Sequence, residues 1–325
     1  MSYLSKNQRY TLLKLNNDFK NLESVKENIF SRTYVEPLSV KSIPEDTSDE
    51  KNFFSKWTNI TEIENINFDE TEIALSYVKA TALCEYSTRR VFDEATGELL
   101  PKEERLNTSN IDVIFVNEED DLYIIIFSIG FYDLRRVTRL IGEKYIEPLT
   151  SKHQTKSDLF HWLFYRQIKE NLNLSDDITL DNINGFTGTV INEENLFEGT
   201  SIQTTELIIT KAFITNGYPI TSIKIDLQMS LASVSFYLNE ISNGKELKIV
   251  VQKNSTVPTI MNAEDIEYQL PIYVFFYLIP EIISLYKKEE VEFLSKERTS
   301  FLSEIGVEVI KTIMAKNSIE IDDIS

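Results

Sequence analysis

Arginine and lysine side chains gathered in one stretch offer the clearest binding chemistry in this chain. Arg135, Arg136, Arg139 and Lys144 lie close together. Lys152, Lys156, Arg166 and Lys169 continue the series around Trp162, Phe164 and Tyr165. Guanidinium forks suit carboxylate and phosphate, and exposed rings stack on unpaired bases. Arg89, Arg90 and Arg105 join the patch if their strands run alongside. Three readings stay open: a solvated helix face paired with acids of the same chain, a surface for an acidic protein partner, or a nucleic-acid site.

The cations stand out because the rest of the chain is acidic. The net charge is −19, yet residues 131–169 carry 8 basic and 4 acidic groups, a net +4. The flanking segments 76–130 and 170–286 stand at −6 and −10. A globally acidic protein is repelled from phosphate backbones at long range, so a local basic segment is informative.

Other chemistries find little material. No glycine-rich phosphate loop and no GxGxxG occurs, and the 9 glycines are isolated, which argues against mononucleotide- and dinucleotide-binding folds. A restriction-type nuclease needs an acid on one strand and a carboxylate-x-lysine on the next. Asp112 begins a strand, but the following strand reads IIIFS where the pair should stand. Lys224 and Asp226 share one strand face in reversed order and lack a partner acid. His153 and His161 are the only histidines. Eight residues along a helix would leave them about 80° apart, poor for shared coordination, and they read as exposed or capping side chains. Cys84, the single cysteine, lies on an apolar strand face and reads as core. It excludes an intramolecular disulfide and any thiolate zinc cluster. The acids Glu118 to Asp121 lack the spaced ligands and glycine of an EF-hand and read as a solvated turn. No metal or cofactor is expected.

The organising stretch is Glu72 to Ile146. Val78, Ala80, Ala82, Cys84 and Tyr86 share one parity, the signature of a half-buried antiparallel strand. The segment 93–98 carries turn chemistry around Gly97. Strands at 111–116 and 122–127 flank the acidic turn, and the second is apolar on both parities, as in a strand covered on two sides. Asp133 is the expected N-cap of a helix running to Lys144 or beyond, with Leu134, Val137 and Ile141 as its buried stripe.

Around this core, residues 7–31 read as a helix from the clustering of Tyr10, Leu12, Leu13, Leu15, Phe19 and Leu22. Residues 33–45 read as extended, 45–51 as an exposed loop, and Phe53, Phe54 and Trp57 as a cluster closing over a core. A helix is expected over 157–172 and a polar boundary over 171–188; residues 204–215 cluster like a helix, though their Ile and Thr content leaves a strand open. Three strands follow within 223–251, with Asn243-Gly244 as a hairpin signal. From 264 the chain reads as helical, bounded at Pro271 and Pro280, with a fraying acidic tail. The longest apolar run, Leu270 to Leu278, falls short of the roughly 20 residues that span a bilayer. No leader peptide is evident, and a cytoplasmic location is expected.

The sequence thus predicts an α+β protein: two antiparallel β-meanders packed by helices, with a helical C-terminal segment. The expected divisions are 1–70, 71–172, 183–255 and 256–325. The leading expectation is a non-enzymatic interaction or scaffold subunit of a larger bacterial or phage assembly. It would recognise a protein partner through the basic helix and acidic surfaces. The alternative is a nucleic-acid-binding or nuclease-derived effector, with phage defence as its setting, using the same helix. The residues expected to bind are Arg135, Arg136, Arg139, Lys144, Arg89, Arg90, Lys152, Lys156 and Arg166.

Overall fold

The computed structural model describes residues 4–38, 51–68, 74–190, 192–230, 232–241, 243–256 and 266–320. The loop expected at 45–51 lies outside them apart from Lys51, and so does the tail beyond residue 320. The class is α+β, with antiparallel sheets, helices packed on them and a long C-terminal helix, as the sequence predicts. Two compact units form: residues 9–148, and residues 149–325 together with 1–8. The boundary therefore falls between Pro148 and Leu149, inside the basic segment.

The first unit comprises β1 (Gln8–Leu15), α1 (Leu22–Asn28), β2 (Thr33–Pro37), β3 (Asn52–Thr58), β4 (Glu64–Asn67), β5 (Ala74–Ser87), α2 (Lys102–Arg105), β6 (Leu106–Glu118), β7 (Asp121–Ile126), α3 (Phe131–Ile141) and β8 (Ile146–Glu147). Its antiparallel order is β1-β7-β6-β5-β3-β2, with β4 on β5 and β8 on β1. The alternation in β5 works as the sequence predicts. Val78, Ala80, Ala82 and Cys84 turn to the face that α1 and α3 cover, with Val113, Phe115, Ile124, Leu134, Val137 and Ile141 in the same cluster. β7 is buried on both parities. The acidic turn joins β6 to β7, with Glu118 facing Asp121 and Glu119 in the left-handed region at φ 53°. Gly97 takes φ 71° in its turn.

The helix expected over 7–31 does not form as one element. Residues 8–15 are a strand instead, and α1 starts only at Leu22. Every residue of β1 except Arg9 is buried. A strand covered on both faces loses its polar alternation, and its apolar run then imitates helical clustering. Asn21 starts α1: its side-chain oxygen accepts the Ser24 N–H at 2.9 Å, and the Ser24 hydroxyl accepts the Asn21 N–H at 3.3 Å.

The second unit comprises α4 (Ser157–Ile168), β9 (Thr179–Val190), β10 (Asn192–Thr200), α5 (Ile208–Thr215), β11 (Ile220–Gln228), β12 (Ser233–Asn239), β13 (Leu247–Val251) and α6 (Ile266–Asn317). Its antiparallel order is β10-β9-β11-β12-β13. The polar boundary expected over 171–188 instead contains most of β9, and β10 was not foreseen. β9 carries Asn182, Asn184 and Thr187 on a half-exposed face, while Leu180, Ile183 and Phe186 are buried. Its composition therefore reads as loop although one side is core. At Gly188 a Cβ would lie 2.3 Å from the Phe213 ring of α5, so only glycine admits this close crossing.

Pro271 and Pro280 do not end helices; both lie inside the 52-residue α6. Two wider π turns, at 274–278 and 293–297, interrupt its α geometry. At the first, Ile279 N–H bonds back to Val274 O, five residues earlier. Pro280 has no N–H to give. The Phe275 carbonyl thus loses both of its helical donors, and His153 Nε2 meets it at 3.0 Å. Because a carbonyl only accepts, that nitrogen carries the proton. Among the described residues, α6 is the one helix long and apolar enough to cross a membrane, and 61% of its most apolar stretch is buried within the protein. A core helix meets the same criteria.

Candidate binding cleft and the fate of the basic segment

Helix α3 positions the arginines that the sequence singles out. It begins one turn earlier than expected: Gly130 is the N-cap residue, and Asp133 sits inside the first turn. There Asp133 accepts the Ser128 hydroxyl at 2.9 Å and pairs with Arg136 at 3.2 Å. Burial of Leu134, Val137, Leu140 and Ile141 turns Arg135, Arg136 and Arg139 to the opposite side.

All three arginines line a cleft of about 270 Å³ with Glu36, Leu38, Phe53, Tyr86 and Tyr132. The three are not equivalent. The Arg136 guanidinium lies 3.8 Å from the Tyr86 ring centroid, a cation–π stack that fixes its plane. Arg139 donates to Glu36 at 2.8 Å and lies over Tyr34. Arg135 is exposed. At the start of the helix Phe131 and Tyr132 are 69% and 68% exposed, their rings edge-to-face with centroids 5.5 Å apart. The cleft therefore combines two oriented guanidinium planes, one solvated arginine, apolar lining from Leu38 and Phe53, and the exposed Tyr132 ring, with Phe131 next to it in sequence. Guanidinium groups beside apolar and aromatic side chains are chemically suited to a carboxylate or phosphate on an apolar or aromatic body.

The remaining cations separate from this cleft. Arg89 is exposed, and Arg90 faces Asp93 at 3.7 Å. Lys144 stands over the Tyr145 ring at 4.8 Å. Arg105 is buried and donates to Leu100 O at 2.9 Å. Lys152, Lys156, Arg166 and Lys169 belong to the second unit. Arg166 is a correction to the expected binding set: its buried side chain bonds Glu289 at 2.6 Å, Asn171 O at 2.8 Å and Asn173 O. Lys169 is held by Glu304. The expected stacking platform is also corrected. Trp162 and Phe164 are buried, Trp162 Nε1 donates to Glu289 at 2.9 Å, and the Tyr165 hydroxyl donates to Glu297 at 3.1 Å. α4 lies between the sheet and α6, so its rings belong to a core.

Both histidines are buried, not exposed or capping. His153 serves the orphaned Phe275 carbonyl, and His161 Nδ1 donates to Ser157 O at 2.9 Å. Among the described residues no three His, Cys, Asp or Glu side chains gather as metal ligands. Cys84 is buried, and burial pushes its thiol above the ordinary value, the opposite of an activated nucleophile. Asp112 accepts the Thr81 hydroxyl at 2.9 Å. Lys224 and Asp226 share the outer face of β11, where Lys224 lies 5.8 Å from the Tyr237 ring and Asp226 accepts from Asn184.

Sequence reasoning missed Glu36 and Tyr86 as parts of the cleft, because pairing of β2, β3 and β5 brings them there from distant positions. Phe131 and Tyr132 left a readable sign: two large rings at a helix start, outside its apolar stripe.

No protein-family model matches the chain, and no curated protein matches it. Among solved structures, the heme-binding protein PhuS from Pseudomonas aeruginosa, in its holo crystal form, aligns at 8% identity over 79% of this chain and 86% of its own, with a TM-score of 0.15. A likeness that faint carries no conclusion about fold or ligand.

Proposed function

We propose that this protein is a non-enzymatic, cytoplasmic recognition subunit that takes an acidic segment of a partner protein into the α3 cleft. The observation that supports this reading is the cleft itself: Arg135, Arg136 and Arg139 over an apolar floor, in a chain of net charge −19. Charge complementarity selects an acidic segment, and the floor of Leu38 and Phe53 with the exposed Phe131 and Tyr132 selects one with apolar residues between its acids. The protein would work within a larger bacterial or phage assembly; the abundance of Asn, Lys and Ile fits an AT-rich source genome and says nothing of the assembly itself.

The rings of Phe131 and Tyr132 beside three arginines also suit a nucleic-acid single strand. One experiment separates the two. A labelled peptide alternating Glu and Leu and an oligothymidylate of equal charge are titrated by fluorescence anisotropy at low and moderate salt. Arg135→Glu is the informative variant, since Arg135 is exposed, whereas reversing Arg139 would set two acids against each other at Glu36. The reading expects peptide binding that Arg135→Glu weakens about tenfold or more. Peptide binding indifferent to Arg135→Glu overturns it. Preference for the oligonucleotide replaces it with the nucleic-acid reading.

A further inference from the structure

Strand β2 ends the sheet of the first unit: it pairs with β3 on one side and with no described strand on the other. Its main chain shows which groups are spare. The Leu38 N–H donates to Lys51 O at 2.7 Å, so Leu38, Glu36 and Tyr34 are the residues that bond β3. In an antiparallel pair the alternate residues point their N–H and C=O the other way. Those residues are Thr33, Val35 and Pro37. Among the described residues, nothing bonds the main chain of Thr33 or Val35 on that outer side. Pro37 has no N–H to satisfy, and sheets admit proline on such an edge. The Val35 side chain is 43% exposed.

An open edge by itself accepts any strand, and α3 makes this one selective. Arg139 bonds Glu36 at 2.8 Å and lies over Tyr34, while Arg32 donates to Ile141 O, so the end of α3 stands on β2. Tyr34 and Glu36 thus point to the α3 side, and Val35 points to the other face. A strand laid along the edge runs about 4.8 Å from β2, and residues directly opposite each other share a face. A residue opposite Val35 meets an exposed valine. Its neighbours, opposite Tyr34 and Glu36, meet the arginines. Glu36 is the one acid among the described residues lining the cleft, and Arg139 already holds it, which leaves Arg135 for an incoming carboxylate.

Resting on the acidic-segment reading of the α3 cleft, we propose that the segment binds as an added strand on the outer edge of β2. Its apolar residues lie against Val35 and the acids between them turn toward Arg135 and Arg139, a repeat of two residues. The main chain of Thr33 and Val35 supplies affinity that does not depend on side chains, and the cleft supplies the choice of side chain. A nucleic-acid strand has no amide and carbonyl to offer at every second position, so the edge favours a peptide. A second copy of this chain is disfavoured, because two bodies of net charge −19 repel each other.

The probe is the alternating Glu-Leu peptide, prepared unmodified and with methyl groups on the amide nitrogens of either all its leucines or all its glutamates. In an extended peptide these two sets of amides leave opposite edges. Affinity for the full-length protein, read by fluorescence anisotropy, should fall about tenfold or more for one methylated set and stay within about twofold for the other. Loss at the leucine amides marks an antiparallel strand, and loss at the glutamate amides a parallel one. On the protein side, Val35→Pro removes an N–H that β3 does not use. That variant should fold and bind the unmodified peptide about fivefold weaker. Suppose Arg135→Glu weakens peptide binding while neither methylated set alters it, or both alter it equally. The added strand is then overturned and the cleft reading stands. Equal affinity in folded Val35→Pro has the same consequence. No binding of the unmodified peptide overturns both.

Discussion

Replacing Arg166 by Met separates a structural cation from one open to a partner. The Arg166 side chain is 6% exposed and makes three hydrogen bonds, to Glu289, Asn171 O and Asn173 O. Each charge-assisted bond has a gross worth of about 1.5–3 kcal/mol. The net loss is smaller, because Asn171 and Asn173 are exposed and the Glu289 side chain is 44% exposed, so water takes over part of the bonding. Glu289 also keeps its bond from Trp162. Methionine preserves much of the packing against the Trp162 ring, over which the guanidinium lies at 5.4 Å. A loss of about 2 kcal/mol is expected, read as a lower urea midpoint with an unchanged slope. Arg135→Met, on an exposed side chain, should stay within about 0.5 kcal/mol of the parent. Equal stability of the two variants would refute the assignment of Arg166 to the core and Arg135 to the surface.

Two further outcomes follow from packing and burial. The His161 imidazole is pushed below its ordinary value by burial, which outweighs the upward effect of its bond to the Ser157 carbonyl; Arg298 lowers it further and Asp158 raises it, each by less. A base depressed in the fold stabilises it above the unfolded value and loses that contribution as pH falls. From pH 7.5 to 5.5, across an unfolded value of about 6.5, the loss reaches at most about 1.4 kcal/mol. His161→Gln should flatten this part of the urea-stability profile, and identical pH slopes would remove the effect. Gly188→Ala places a methyl 2.3 Å from the Phe213 ring and 2.7 Å from Pro219 O. With Phe213 packed against Phe186, Phe197 and Tyr218, overpacking should cost about 2–3 kcal/mol; an unaltered melting temperature would show that the ring yields.

Whether a residue was legible depended on whether its environment is local in sequence. Val78 to Tyr86 alternate because one side of β5 faces helices, and the pattern survives in the residues themselves. Leu134, Val137 and Ile141 likewise record α3. β1 and β9 misled for opposite reasons: β1 is apolar on both faces and imitated a helix, whereas β9 bears asparagine and threonine on one side and imitated a loop. Pro271 and Pro280 signal helix ends by local rules. In α6 a π turn and the distant His153 satisfy the backbone groups that Pro280 disturbs.

The sequence by itself determined the α+β class, strands β5, β6, β7, β11, β12 and β13, the acidic balance and the one basic segment. It could not distribute that segment's cations. A lysine or arginine is polar in any sequence window, and its role depends on which acids, carbonyls and rings arrive from elsewhere in the chain. Strand pairing brought Glu36 and Tyr86 to α3 and left Arg135 in water. Helix packing set Glu289 against Arg166 and buried Trp162 and Phe164.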